Sequence, residues 1–210
     1  MNLYLIRHGQ TEFSRENRFC GTSDPPLTDA GQAMADAFAQ AYAKVAWDAI
    51  YTSPMLRARQ TADALARAIG VTAVIEDGLK EIAYGEWEGL TVDAVEARWP
   101  EAYAYWADDV ASRGTPGGET AFHVAARAMR AVEAIRTRHE TGNVLLVSHK
   151  ATLRIITCAL LGLDVRLFRE RIAQPVAAVT MFELTKGGSK LAILGDRSYL
   201  PEALRNAEGT

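Results

Sequence analysis

Cysteine is scarce in this sequence, with only Cys20 and Cys158 among 210 residues. So few cysteines exclude a disulfide-built scaffold, and we expect a protein of a reducing compartment, the cytoplasm. The sequence also lacks a basic start followed by a long apolar stretch, so we expect no signal peptide. Because no apolar run approaches the roughly 20 residues of a membrane-spanning helix, we expect no membrane association.

Basic tracts are missing as well. Lysine and arginine number 23 against 26 acidic residues, which gives a formal net charge of −3. This balance gives no reason to expect nucleic acid as a partner, and any anion-binding site must be local. The four histidines do not show a zinc-ligand spacing such as His-Glu-x-x-His, which disfavours a zinc hydrolase.

Alternating strand-like and helix-like segments make up most of the chain. With 49% apolar and 23% charged residues, the composition is that of a globular protein. The alternation predicts a three-layer α/β/α fold with a mostly parallel central sheet, as one domain over residues 1–210. The last two strands are expected to form a hairpin at the sheet edge. The predicted strands are 3–6, 49–52, 72–75, 144–148, 178–183 and 190–194.

Several helices between these strands have clear signals. Thr28 is a helix N-cap, Ser53-Pro54 starts a second helix, and a long helix is predicted from about 120 to 139. Helical spacing indicates an inward face on this long helix. Its members are Phe122, Ala126, Met129 and Val132.

The region 84–118 interrupts the alternation. It contains no clear strand, but it holds Trp87, Trp99 and Trp106, three of the four tryptophans. We interpret it as a small cap inserted over one end of the sheet. Large aromatic side chains favour a satellite core there, which is compatible with one or two of them lining a substrate site.

Polar side chains follow three of the predicted strands. Arg7 and His8 follow the first, Arg57 lies in the helix after the second, and His149 follows the fourth. Open α/β sheets bind ligands beyond the carboxyl ends of their strands. If these strands are parallel neighbours, two guanidinium groups that fit phosphate oxygens meet two imidazoles. The pattern predicts an anion pocket whose imidazole, neutral at pH 7, takes up a phosphoryl group.

Short motifs occur in a fixed order along almost the whole chain. They are Leu5-Ile6-Arg7-His8-Gly9-Gln10-Thr11, Asn17-Arg18-Phe19 with Gly21, Leu27-Thr28 with Gly31, Thr52-Ser53-Pro54 with Arg57-Ala58, Gln60-Thr61-Ala62, Leu79 with Glu81, Gly85-Glu86-Trp87-Glu88-Gly89, Pro116-Gly117-Gly118-Glu119-Thr120, and Val147-Ser148-His149 with Leu153-Arg154. The chain thereby resembles the histidine phosphatase superfamily, the phosphoglycerate mutase-like proteins. The full set in this order is highly specific.

The resemblance implies a metal-independent phosphomonoesterase of the histidine acid phosphatase type, without a cofactor. His8 would be the nucleophile and would be transiently phosphorylated. The donors of Arg7, Arg57 and His149 would hold the phosphoryl oxygens during an in-line transfer.

A carboxyl group would complete the implied mechanism. Glu81 would protonate the leaving alcohol and then activate water against phospho-His8. Glu86 and Glu88 lie close enough in the sequence to be rival acids.

The resemblance also implies a set of substrate- or phosphate-binding residues. They are Ser14, Gln10, Cys20, Gly21, Tyr84 and Lys150. Three of them depart from the family pattern: Ser14 stands where Asn is frequent, Gln10 where Glu is common, and Lys150 where Gly is usual. Lys150 either binds a substrate carboxylate or second phosphate, or faces solvent.

The implied substrate is a small-molecule phosphate monoester, as in the small-molecule phosphatase branch. The short cap and the short stretch after Leu200 favour hydrolysis over the alternative, a phosphoglycerate mutase. A second alternative is a catalytically weak regulatory module that binds phosphorylated ligands. The physiological substrate and the oligomeric state, including a homodimer, are left open.

Overall fold

The centre of the molecule is a sheet of six strands: β1 (Asn2–Arg7), β2 (Trp47–Thr52), β3 (Val74–Ile75), β4 (Asn143–Ser148), β5 (Val179–Thr185) and β6 (Gly188–Asp196). The structure is a computed structural model that describes residues 1–209. The strand order is β3-β2-β4-β1-β5-β6. The first four strands of the chain run parallel, whereas β5 and β6 form an antiparallel edge. The predicted sheet is therefore confirmed.

Helices cover both faces of this sheet. They are α1 (Glu12–Arg15), α2 (Asp29–Tyr42), α3 (Leu56–Ile69), α4 (Val92–Arg98), α5 (Pro100–Asp108), α6 (Ala121–Arg138), α7 (Lys150–Leu161), α8 (Phe168–Arg171) and α9 (Glu202–Arg205). Side chains of α2 and α3 form the core on one face, and those of α6 and α7 form it on the other. The three-layer architecture is thus as predicted. Over residues 1–209, none of the helices combines the length and the apolar character that crossing a bilayer requires.

The sequence of β1 explains how both layers attach to the sheet. Leu3 and Leu5 pack with side chains of α6 and α7, whereas Ile6 packs with those of α2 and α3. Successive strand residues point to opposite faces, so a strand covered on both sides is apolar throughout. All three side chains are fully buried, and each contributes about 1.5–3 kcal/mol to stability. The end of β1 is therefore a rigid support for Arg7 and His8.

The predicted inward face of the long helix is correct for Met129 and Val132, which pack in the core, and wrong for Phe122 and Ala126. Phe122 is 47% exposed, and Ala126 is also exposed. The buried residues of α6 are Ala121, Val124, Ala128, Ala131, Val132 and Ile135. Apolar residues occur around most of this helix, so periodicity alone did not fix its rotation. The small alanine side chains of α6 let neighbouring backbone pack closely against this helix. At Gly78 the packing is so close that an added Cβ would lie only 2.7 Å from the Cβ of Ala131.

Region 84–118 contributes α4 and α5 and a second, aromatic core. Trp87 and Trp106 are buried, with ring centroids 5.3 Å apart in an edge-to-face arrangement. Phe19 packs on both rings. The same cluster includes Ala151 and Ile155 of α7, so the aromatic core is joined to the sheet domain next to the carboxyl end of β4.

Candidate active site

The carboxyl ends of β1, β2 and β4 lie side by side in the sheet. Arg7 is in register with Ser148, and Thr52 with Val147. Hydrogen bonds continue past the strand ends, because the backbone N–H of His8 donates to Ser148 O at 3.0 Å. The polar residues that follow the three strands therefore meet at one edge.

His8 is held in one tautomer by its own backbone. Its Nδ1 lies 2.7 Å from Gly9 O. A carbonyl oxygen only accepts, so Nδ1 carries the proton and the lone pair of the neutral ring is on Nε2. The side chain is buried. Burial, and then the charges of Arg57 and Arg7, hold the pKa of His8 well below its ordinary value. The imidazole is therefore neutral and nucleophilic at pH 7.

His149 lies against His8, with ring centroids 5.2 Å apart. It is completely buried, and its Nε2 is 2.7 Å from Ser53 Oγ. Its buried Nδ1 has no hydrogen-bond partner within residues 1–209. Burial, followed by the charge of Arg57, also keeps the pKa of His149 well below its usual range. The pair thus forms an uncharged nitrogen-rich patch between two arginines.

Arg7 and Arg57 are fixed through backbone carbonyls. Arg7 Nη1 donates to Gln174 O at 2.9 Å. Arg57 donates from Nη1 to Ser23 O at 2.7 Å and from Nη2 to Gly21 O at 3.1 Å. Burial lowers the pKa of Arg7 to about 9, so its guanidinium remains cationic at neutral pH. Neither group forms a close ion pair with a buried carboxylate in the described chain, so their charge is available to an anion.

Glu81 is the buried carboxylate of the site, and it caps α7 from outside the helix. His149, which precedes α7, provides no side-chain cap. Instead, Glu81 Oε1 accepts from Thr152 N at 3.1 Å and from Ile82 N at 3.0 Å, and Oε2 accepts from Ala151 N at 3.2 Å. The free N–H groups of the helix start thereby fix the position of this carboxyl group.

An arginine that is paired with Glu119 fixes the segment that carries Glu81. Arg127 of α6 donates to Gly78 O and Lys80 O at 2.8 Å each, and to Glu81 O at 3.0 Å. The same guanidinium binds both carboxylate oxygens of Glu119 at 3.0 Å. Sequence reasoning assigned no role to Arg127, because the three carbonyl groups that it binds lie more than forty residues away along the chain.

A cavity of about 270 Å³ opens at this edge of the sheet. Its lining residues are Arg7, His8, Thr11, Ser14, Asn17, Arg18, Phe19, Cys20, Arg57, Glu81, Tyr84, Val92, Lys150, Ala151, Arg154, Phe168 and Arg169. Eight of the eleven residues expected in the site are among them. The exceptions are Gln10, Gly21 and His149.

Gln10 and Gly21 are engaged with other parts of the protein, whereas His149 lies against His8, which lines the cavity. The amide of Gln10 accepts from Thr28 Oγ1 at 2.7 Å and donates to Glu208 O at 2.6 Å. Gly21 supplies the carbonyl that holds Arg57, and its φ of +51° favours glycine. Ser14 does line the cavity, but its hydroxyl is also engaged with Thr11 in a capping box.

The rival carboxylates are placed elsewhere. Glu88 accepts hydrogen bonds from Thr22, Ser23 and Tyr84, which joins two loops. Glu86 is exposed. Neither is among the residues that line the cavity.

The segment after α9 also reaches the site. Gly209 is buried, and its carbonyl accepts from Arg7 Nη1 at 3.4 Å. Sequence reasoning treated this stretch only as short. No local signal indicates such a contact, because Arg7 and Gly209 are separated by 202 positions.

Comparison with known proteins gives a consistent result. A family model described as histidine phosphatase superfamily, branch 1, matches residues 3–197. Phosphoserine phosphatase 1 of Hydrogenobacter thermophilus is 34% identical over 168 residues, which cover 80% of each chain. The glucosyl-3-phosphoglycerate phosphatase of Mycolicibacterium vanbaalenii is 36% identical over 171 residues, covering 78% of this chain and 75% of that one.

Solved structures agree with this fold. Bacillus stearothermophilus YhfR superposes with a TM-score of 0.87 at 31% identity, and the match covers 94% of this chain and 98% of that chain.

Proposed function

The chain belongs to the histidine phosphatase superfamily, and from this premise we propose that it hydrolyses small-molecule phosphate monoesters through a phosphohistidine on His8. One observation carries the proposal: the Nδ1–H of His8 donates to Gly9 O, which leaves the Nε2 lone pair for attack. His8 shares its cavity with Arg7, Arg57 and Glu81. These are the groups that an in-line phosphoryl transfer requires.

In the first step, Nε2 of His8 forms a bond to phosphorus and the ester P–O bond breaks. Arg7 and Arg57 neutralise the charge on the non-bridging oxygens, and the ring of His149 lies beside them as a further hydrogen-bonding group. Glu81 gives its proton to the leaving alcohol.

In the second step, water attacks phosphorus while Glu81 takes its proton. The N–P bond breaks, inorganic phosphate leaves, and the lone pair returns to Nε2. Glu81 suits both roles, because donors from α7 fix its carboxylate in the wall of the cavity.

We place hydrolysis ahead of mutase activity because both relatives described above are named as phosphatases. The presence of His8 and Glu81 in one cavity also supports an enzyme rather than a phospho-ligand-binding module. We further propose that no metal is needed, since two guanidinium groups supply the positive charge. A chelator should then leave phosphate release unchanged, and a loss that added Zn²⁺ restores would contradict this point.

The test compares wild type with His8→Ala. Wild type should release phosphate from small esters and should form an acid-labile phosphoenzyme. His8→Ala should lose both, with an unchanged circular dichroism spectrum and thermal transition. Turnover that persists in the variant would overturn the covalent mechanism. Formation of 2-phosphoglycerate from 3-phosphoglycerate would indicate the mutase instead.

A further inference from the structure

A buried serine contacts one of the two histidines of the site and has no part in the reaction described so far. Ser53 follows β2 directly and is completely buried. Its backbone N–H donates to Val147 O at 3.0 Å, which fixes it beside the end of β4. Its Oγ lies 2.7 Å from Nε2 of His149. One of these two groups must donate to the other, and the direction of the bond sets the tautomer of the ring.

The other contacts of Ser53 decide which group donates. Oγ accepts from Met55 N at 3.3 Å. For the hydroxyl hydrogen, the described residues offer one acceptor, which is Nε2 of His149. If Nε2 carried the proton instead, the hydroxyl hydrogen would have no acceptor in a completely buried position, which is costly. Ser53 is therefore the donor, and Nε2 is the acceptor.

The second nitrogen of the ring then carries the proton. Burial, followed by the charge of Arg57, keeps the pKa of His149 well below its ordinary value, so the ring is neutral and has one N–H group. With Nε2 accepting from Ser53, this N–H group is on Nδ1. Nδ1 is buried and has no hydrogen-bond partner in the part of the chain that the structure describes. A buried donor without a partner requires an explanation, and a bound ligand provides one.

The location of His149 indicates the missing acceptor. Its ring lies against that of His8, with centroids 5.2 Å apart, and His8 lines the cavity. A phosphoryl group bonded to His8 carries oxygen atoms that accept strongly from N–H groups. The opposite tautomer would present a lone pair on Nδ1, which repels those oxygen atoms. The tautomer of His149 therefore decides whether this ring stabilises the phosphoryl group.

We propose that Ser53 is a positioning residue: its hydroxyl donates to Nε2 of His149 and keeps the proton of that ring on Nδ1, which donates to a phosphoryl oxygen. This assignment rests on the proposed function, in which His8 receives the phosphoryl group. Ser53 itself touches neither the substrate nor the reacting atoms. It acts through the ring of His149.

Nitrogen-15 NMR of protein labelled in its four histidines tests the tautomer directly. The signals of His149 are identified by their loss in His149→Gln. In wild type, Nδ1 should give the signal of a protonated ring nitrogen and Nε2 that of an unprotonated one. In Ser53→Ala the two tautomers should mix. Ser148→Ala is the matched control, because Ser148 is an equally buried serine at a strand end that donates to Leu79 O at 2.7 Å. It should leave the tautomer of His149 unchanged.

Calorimetry with inorganic phosphate measures the consequence for binding. Ser53→Ala should bind phosphate about five- to tenfold more weakly, because a hydrogen bond to the anion is weakened. Ser53→Thr keeps the hydroxyl and should recover most of the affinity. Adding Ser53→Ala to His149→Gln should change the affinity by less than about twofold, since the two residues act through one bond.

The outcomes separate this assignment from the proposed function. A wild-type spectrum with the proton on Nε2, or an unchanged phosphate affinity in Ser53→Ala, would overturn the role of Ser53 alone. Equal losses of affinity in the wild-type and His149→Gln backgrounds would also overturn it, because Ser53 would then act on the fold. The expected tautomer and affinities in a protein that hydrolyses no ester would overturn the phosphatase and retain the role of Ser53. The wild-type spectrum decides the tautomer even if Ser53→Ala does not fold.

Discussion

Replacing Glu81 by Gln tests two roles of one carboxylate. Oε1 accepts from Ile82 N and Thr152 N, whereas Oε2 accepts from Ala151 N. An amide has one accepting end and one donating end. We expect the amide oxygen to keep the Oε1 position, where it satisfies more donors, and the NH₂ group to face Ala151 N without a bond.

The expected magnitudes follow from these contacts. Loss of one charge-assisted bond, together with the negative charge at the start of α7, costs about 1–3 kcal/mol of unfolding free energy. For a chain of this length that lowers Tm by about 2–12 °C. The kinetic effect is larger, because general acid–base catalysis contributes about 10²–10⁴-fold. Hydrolysis of an alkyl phosphate should fall by that factor.

The assay uses two leaving groups. 4-Nitrophenolate leaves without protonation, so Glu81→Gln should still release about one equivalent of it per site in a rapid burst. Slow turnover should follow, because the second step has lost its base. The phosphoenzyme should accumulate and be visible by mass spectrometry at neutral pH. An alkyl phosphate should give no burst.

Glu86→Gln is the control, since Glu86 is exposed and does not line the cavity. It should match wild type in both assays. Wild-type turnover in Glu81→Gln, or a steady rate without accumulated phosphoenzyme, would refute the assigned role. A burst that appears only in Glu86→Gln would transfer the role to that residue.

Three further predictions concern Arg127, the two buried histidines and Trp87. Arg127→Lys loosens the segment that carries Glu81, so kcat should fall about ten- to a hundredfold with little change in KM, and Arg127→Ala should be worse. Because the pKa values of His8 and His149 are lowered by burial, the unfolded chain binds more protons below about pH 6.5. Urea titrations should therefore show the unfolding free energy falling between pH 7 and 5, less steeply in His8→Ala; equal slopes would contradict this. Trp87→Ala should cost about 3–5 kcal/mol of unfolding free energy by calorimetry, because Trp87 is fully buried; a loss below about 1 kcal/mol would show that the aromatic core is loosely packed.

Much of the fold could be predicted because its signals are local. Apolar runs mark the strands, and Thr28 marks the start of α2 by accepting from Gly31 N. The rule that parallel strands end at one edge then placed Arg7 and His8 beside His149. The rotation of α6 was not predictable, since the exposed Phe122 and the buried Val124 both fit a helical stripe.

The order of motifs in the sequence by itself determined the fold and the family, and it predicted His8 as the reacting histidine. Only the tertiary structure distinguished Glu81 from Glu88, because the two carboxylates differ in which backbone donors surround them. It alone brought Arg169 to the wall that carries Arg154. Sequence spacing fixes which residues share a strand end or a helix face, whereas contacts between distant segments depend on how helices rotate and pack.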